Sequence, residues 1–516
     1  MSKEVLRMDG ITKIYSNGFT ANHDVNLVLH EGEILALVGE NGAGKTTLMK
    51  ILFGMESHQG GHIEVNGTTV KINSPLDAIA LGIGMVHQHF MQVPSATVAE
   101  NVTLGIEPRQ GSVYDKKEAI KRTQELSDRY QLMVKATDRI NDLSVAQRQK
   151  VEILKALARN CRILILDEPT AVLTPQETEE LFVQLKNLKE SGISIIFISH
   201  KLHEVMQLSD NIVVLRAGKV TGTLVTKDVN PAQISRLMVG RDVVMSIEKD
   251  DPKPEDTILQ VRNLVYYNDE NVKVVDNVSF GIRKGEVVGI AGVEGNGQNE
   301  IAELITGLVK ADSGEIILNG KSTAGLEIRD IRDLGLAYIS EDRMRYGVAA
   351  NLSIRENIMA DRLDRKEFRT GFLYNSKKIN SHVDSLIREF EIACDDQTQP
   401  VRMLSGGNIQ KVVVAREFSS GANLIVANQP TRGIDVGTSE LIRKTLVRKS
   451  RNKEASTLLV SSDLNEILEV SDRLLVMKNG QIVAQFAKAQ AVDEFELGEY
   501  MLGIKRMTAE EMGDLL

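Results

Sequence analysis

Residues 32–67 read GEILALVGENGAGKTTLMKILFGMESHQGGHIEVNG, and residues 285–320 read GEVVGIAGVEGNGQNEIAELITGLVKADSGEIILNG. Both ends of the second stretch follow those of the first by 253 positions (285 − 32 and 320 − 67). A period this long makes each copy a whole domain, not a unit of a solenoid. In each copy a short apolar run, EILALVG or EVVGIAG, leads through glycines into an amphipathic helical pattern. That is the strand–loop–helix order of a phosphate-binding α/β unit. The later runs RILILDEP and ISIIFISH, bounded by turn residues, read as further buried strands of the same sheet. Residues 95–159 carry a mainly helical pattern and predict a separate helical lobe. The expected division is one domain over 1–245, a linker over 246–257 and a second domain over 258–516. The linker sequence SIEKDDPKPEDT, acidic and with two prolines, suits an exposed tether.

A chain of 516 residues is too long for one core, and 42% hydrophobic with 26% charged residues is the balance of a globular protein. The formal charge of -9 disfavours a general grip on nucleic acid, so no nucleic-acid partner is expected. Cys161 and Cys394 are too few for a disulfide framework or a four-ligand zinc site and read as buried free thiols in a reducing compartment. The first residues lack the apolar core of a signal peptide, and no later stretch approaches the ~20 apolar residues of a membrane span. At a membrane, other chains would do the crossing.

GENGAGKTT comprises Gly39, Glu40, Asn41, Gly42, Ala43, Gly44, Lys45, Thr46 and Thr47 and fulfils G-x-x-x-x-G-K-[ST] between a strand and a helix. Its glycines let backbone N–H groups converge on phosphate oxygens at a helix N-terminus. Lys45 is then able to reach β- and γ-phosphates, and Thr46 to hold Mg2+. In LILDEP, Asp167 at a strand end is placed to help hold the metal, and Glu168 to orient or deprotonate an attacking water. Gln88 and His200 add polar groups suited to sensing a γ-phosphate. His87 and His89 flank Gln88, but with no third ligand in view the pair reads as packing or surface rather than metal.

The order Tyr15, GENGAGKTT, Gln88, LSVAQ, LILDEP and ISH, repeated with variation in the second half, resembles the ATP-binding subunits of ABC transporters. It is similar to the tandem kind found in carbohydrate and nucleoside importers, over essentially the entire chain. The resemblance implies two tandem P-loop ATPase domains, each with a mixed sheet core and a helical subdomain, and ATP with Mg2+ as ligands. It further implies that Tyr15 stacks on adenine, that Gln88 lies in the loop coupling to membrane subunits, and that LSGGN (residues 404–408) is the signature sequence. The implied partners are two transmembrane permease subunits and an extracytoplasmic solute-binding lipoprotein, with the chain peripheral at the cytoplasmic face of the cell membrane. GMVHQHFM, GNGQNE and NQPTRGIDVG look closer to the nucleoside branch than to the ribose, xylose or galactose branch.

The second half has lost nearly every charge that hydrolysis needs. Lys45, Thr46 and Gln88 become Gln298, Asn299 and Glu341, while Asp167, Glu168 and His200 become Asn428, Gln429 and Ser462. The first half has the opposite defect, with Val145 and Ala146 where the second has Gly406 and Gly407. Ser405, Gly406 and Gly407 precede a helix and are suited to meet an anion, and Asp435 stands where the first half has Thr174. In the family two such domains close head to tail, which implies that the domains pair within this chain. One competent site would then combine Lys45, Thr46, Gln88, Asp167, Glu168 and His200 with Ser405, Gly406, Gly407 and Asp435. The damaged loop keeps its glycines, and loss of one charge-assisted contact would weaken ATP there by about one to two orders of magnitude. A different class of tandem ATPase acts on ribosomes, but those relatives carry a long basic helical linker and two complete sites.

Overall fold

A computed structural model describes residues 3–16, 18–40, 42–88, 90–171, 173–199, 201–240, 249–371 and 373–513. The chain forms two compact units, Met1–Val243 and Val244–Leu516.

In the first unit a six-stranded sheet runs in the order Lys219–Val225, Asn211–Arg216, Ile34–Gly39, Ser194–Ile198, Ile163–Asp167, Ile83–Val86. All neighbours are parallel except the edge pair of Lys219–Val225 with Asn211–Arg216. The central strands are continuous apolar runs because both faces are covered. Ile163 and Ile165 face a cluster with Leu27, Leu29, Leu48 and Leu52, while Leu164 and Leu166 face Val98, Val151, Leu181 and Leu185. A second, antiparallel sheet, ordered Thr20–His30, Glu4–Ile14, Gly60–Val65, Thr68–Val70, closes the first of those faces.

The second unit repeats this plan. Its sheets run in the same connectivity: Leu336–Ile339, Leu424–Asn428, Ser456–Val460, Val287–Ala291, Arg473–Lys478, Gln481–Phe486, and an antiparallel sheet of Lys273–Arg283, Thr257–Tyr267, Ser313–Leu318, Lys321–Ser322.

Two expectations are modified. Residues 95–159 are helical, with helices Val98–Thr103, Lys116–Arg129 and Val145–Leu157, but they own no separate core. Val98, Val102, Val151 and Leu154 join the same cluster as the sheet residues Leu164, Leu166 and Phe197. The lobe is therefore anchored through the sheet rather than by itself. Of the acidic linker, residues 246–248 lie outside the described set, and most of the rest is exposed, as expected, but is held at both ends rather than free. Lys249 lies 4.0 Å from Asp472 with its side chain mostly covered, and Glu255 pairs with Lys284 at 3.3 Å and with Lys453.

Among the described residues no helix is long and apolar enough to cross a membrane.

Candidate functional site

In an open parallel sheet, ligands gather beyond the carboxyl ends of the strands. Here the strands Ile34–Gly39, Ile83–Val86, Ile163–Asp167 and Ser194–Ile198 run side by side in one direction, with Ile198 opposite both Leu37 and Asp167. Their carboxyl ends deliver the glycine loop, Gln88 and the Asp167–Glu168 pair to one edge. His200 and Asn41 lie outside the described residues.

The loop is built on close approach. Gly44 precedes the helix Lys45–Leu52 with φ 98, and a Cβ there would fall 2.6 Å from Asn22 Nδ2 and closer still to the Ala21 carbonyl oxygen. Asn22 donates back to the Gly44 carbonyl at 3.2 Å, locking the turn against the neighbouring sheet. The first helical residue, Lys45, is 6% exposed and folds into the loop, donating to the carbonyls of Gly39 at 2.6 Å and Glu40 at 3.0 Å. Burial holds its ammonium below the usual lysine range, against the pull of Glu168, Asp167 and Glu40. A buried lysine among carbonyls and carboxylates keeps one N–H and a full charge for an incoming anion.

Asp167 is 5% exposed. Burial and then Glu168 push its carboxyl above the ordinary range, while the Thr46 hydroxyl, hydrogen-bonded to it, and the charges of Lys45 and Lys50 pull the other way. Two adjacent carboxylates at a buried strand end call for a cation. Gln88 Nε2 donates to Glu168 Oε2 at 3.1 Å. Thr46 is thus joined to Asp167 and Gln88 to Glu168, and hydroxyl, carboxylate and amide oxygens are donor types suited to a hard divalent cation. Tyr15 stands beside the loop helix, its hydroxyl 3.4 Å from Thr47 Oγ1 and its ring under the Lys13 ammonium. His87 packs edge-on against Phe53, and burial holds it below its usual value, as a packing histidine should be.

Three supports escaped the sequence reading. Lys50, one turn along the helix, acts on Asp167, and Asn22 clamps Gly44 from another sheet. Glu204 is buried and accepts from Thr170 Oγ1 at 2.7 Å and Ser199 Oγ at 2.9 Å, with Lys201 at 3.2 Å. It braces the turns that follow Glu168 and Ile198. The signal for Glu204 was a lone acid within the apolar-patterned stretch HKLHEVM; Asn22 left none in local sequence.

In the second unit Ser405 caps the helix Gly406–Phe418, accepting from the Asn408 backbone at 3.4 Å and its side chain at 2.9 Å. Gly407 lies against Asp435, where a Cβ would come 3.0 Å from Oδ2. Asp435 itself caps Val436–Arg451 through Thr438, by bonds of 2.7 and 2.8 Å. The structure thus gathers Gly407 with Asp435, and sets Ser405 at an exposed helix start. In the other half Ser144 makes a capping box with Gln147, and Val145 and Ala146 take the glycine positions.

A family model described as ABC transporter matches residues 22–171 and 275–432. The chain is 43% identical to Nucleoside import ATP-binding protein NupA of Lactococcus lactis, over 97% of this chain and 99% of that one. It is 41% identical to Glucose import ATP-binding protein TsgD13 of Haloferax volcanii, over 96% of each. Among solved structures, an archaeal ribosome recycling factor in complex with a ribosomal stalk protein superposes with TM-score 0.61 at 20% identity, over 98% of this chain and 94% of that one, a likeness of fold alone. With two matched ATP-binding domains and relatives of this identity over nearly its full length, the chain belongs to the ABC transporter family, as a two-domain ATPase of the import ATP-binding type.

Proposed function

We propose that the chain powers uptake of nucleosides or simple sugars, hydrolysing ATP with Mg2+ at one site centred on the first unit. In this reading it works at the cytoplasmic face of the membrane, bound to two permease subunits served by an extracytoplasmic solute-binding protein. The names of the relatives at 43% and 41% identity, nucleoside and glucose import proteins, support that substrate range. A ribosome-acting ATPase is the weaker alternative, since the likeness to such a protein stands at 20% identity.

One observation carries the mechanism: Lys45, Thr46, Asp167, Gln88 and Glu168 are linked by contacts within one edge of the first sheet. Thr46, Asp167 and Gln88 offer oxygens fit to hold Mg2+, which when bound would neutralise phosphate charge. Lys45 binds the β/γ-phosphates, and Tyr15 stacks on the adenine. Glu168, held by the Gln88 amide, accepts a proton from the water whose oxygen bonds the γ-phosphorus. The bond from that phosphorus to the β-phosphate oxygen breaks, releasing ADP and inorganic phosphate. His200 is assigned to the γ-phosphate by the same reading.

That Ser405, Gly406, Gly407 and Asp435 complete this site, with the two units paired within the chain, rests on the complementary distribution of the motifs: each half keeps what the other lacks. Glu168→Gln tests the base. It should retain ATP binding within about threefold and lose steady-state turnover by about two orders of magnitude or more. Near-normal turnover would remove Glu168 from that role.

A further inference from the structure

The second unit keeps the backbone of a phosphate loop. Gly295 and Gly297 hold positive φ as Gly42 and Gly44 do, and the helix Gln298–Thr306 starts from Gly297 as Lys45–Leu52 starts from Gly44. Gln298 folds inward as Lys45 does, its Nε2 donating to the Val293 carbonyl at 3.1 Å where Lys45 donates to Glu40 at 3.0 Å. On backbone alone, both loops would accept phosphate.

The charges around them differ. In the first unit Lys45 and Lys50 balance Asp167 and Glu168. At the matching positions of the second stand Gln298, Glu303, Asn428 and Gln429, while Thr47 is replaced by Glu300 and Gln88 by Glu341. Four carboxylates have entered, counting Glu294 in place of Asn41, three have left with Glu40, Asp167 and Glu168, and both lysines have gone. The cation that answers them is internal: Arg432, at the position of Ala171, bonds Glu341 Oε1 and lies 3.9 Å from Glu294. Glu341 Oε2 accepts from Asn299 Nδ2 at 2.6 Å. The residues that replace Thr46 and Gln88 are therefore bonded to each other, and Glu341 bridges Asn299 to the Arg432 guanidinium.

The other side chains are likewise turned inward. Gln429 Oε1 accepts from the Ser462 backbone and hydroxyl, each at 3.1 Å. Asn428 is 2% exposed and leaves Oδ1 without a partner; that atom is an acceptor, which phosphate oxygens cannot use, and as a neutral amide oxygen it attracts a cation far less than the Asp167 carboxylate at the matching position of the first unit. Burial and Glu300 push the Glu303 carboxyl up, with Arg345 opposing.

We propose that the second phosphate loop is latched by the chain's own charges: Arg432, bridged through Glu341 to Asn299, stands in for the metal, and Glu300 and Glu303 repel phosphate, so that this unit takes up no magnesium nucleotide at concentrations that saturate the first. This rests on the reading of the first loop as the ATP site. Loss of the lysine alone weakens nucleotide by about one to two orders of magnitude. Loss of the second lysine and the net gain of one carboxylate bring the deficit to about a thousandfold.

The test counts nucleotide bound to the full-length chain by equilibrium dialysis with Mg2+ and the non-hydrolysable analogue AMP-PNP. The wild-type chain should bind one equivalent, and Lys45→Ala should lower this by at least tenfold. Converting the second loop to the first-half residues, by Gln298→Lys, Asn299→Thr, Glu300→Thr, Glu303→Lys, Glu341→Gln and Arg432→Ala together, should add a second equivalent. Two equivalents in the wild type, or a full equivalent persisting in Lys45→Ala, would overturn the latch. No binding at all would overturn the first-loop reading, on which the latch rests. Should the six-fold variant not fold, the wild-type and Lys45→Ala counts decide by themselves.

Discussion

Gly42 and Gly44 provide a calibrated pair. Both hold positive φ, 83 and 98, and a Cβ at Gly42 would meet nothing within 4 Å, whereas one at Gly44 would fall 2.6 Å from Asn22 Nδ2 and against the Ala21 carbonyl. Alanine at either position meets the left-handed penalty of about 1–2 kcal/mol, offset by about 0.4–1 kcal/mol through the unfolded chain. Those terms are common to the two substitutions. Only Gly44→Ala adds overlap with backbone, about 1–3 kcal/mol by analogy with overpacked cores. Gly44→Ala should therefore be less stable than Gly42→Ala by that amount, lowering Tm by about 2–12 °C relative to it for a unit of this size. The second unit repeats the experiment. Gly295 has open space, while a Cβ at Gly297 would lie 2.6 Å from the Val274 carbonyl oxygen. Calorimetry of the four variants, without nucleotide, checks both pairs. Equal transitions for Gly42→Ala and Gly44→Ala would refute the close-approach account of the loop.

Asp167 must be ionised to hold a cation, and its carboxyl is raised by burial and by Glu168. Magnesium-dependent nucleotide affinity should thus fall on acidification at a pH above the ordinary aspartate range of about 3.5–3.9, a component absent from Asp167→Asn; a wild-type decline confined to the ordinary range would count against it. Ser405→Ala and Gly406→Ala should each lower turnover about 10- to 150-fold, the worth of a charge-assisted contact, and a steady-state assay showing either to be dispensable would dismiss the proposed contribution of the second unit. Burial pushes the Cys161 thiol up to about 12, so thiol titration at pH 8 should leave it unreacted until the chain is denatured. Rapid labelling of both cysteines in the folded chain would contradict its burial.

The continuous apolar runs EILALV and ILILD were legible as strands because a parallel strand covered on both faces has no polar side to obscure the pattern. The loop was legible for the same kind of reason, since its glycines and its lysine are contiguous. What resisted reading was long-range. Asn22 reaches Gly44 across 22 positions, and Glu341 meets Arg432 across 91. The helical segment was recognised, but not that Val98 and Val151 share a core with Leu164 and Leu166, because periodicity gives the width of an apolar face without its partner. Asp435 illustrates a double use: read as a phosphate-side carboxylate, it also caps its own helix.

Glu168 and Gln429 separate backbone strain from chemistry. Both are non-glycine residues in the left-handed region, at φ 48 and 51, and both donate their N–H to the neighbouring strand, to Ile198 at 3.1 Å and Val460 at 2.7 Å. Such a conformation costs about 1–2 kcal/mol, and at a catalytic carboxylate it invites a functional explanation. Gln429 has no carboxylate, however, and adopts it all the same. The strain therefore belongs to the turn that ends this strand, which the fold imposes in either unit, and the carboxylate is an addition to it. It follows that Glu168→Gln places in the first unit a side chain the same turn already carries in the second. Its unfolding free energy should stay within about 1 kcal/mol of wild type, because an amide oxygen is still able to accept from Gln88 and the lost attraction to Lys45 is offset by relief of the repulsion with Asp167. A loss of turnover in that variant would then report the missing base, whereas a large destabilisation would show that the Glu168 carboxylate also holds the turn.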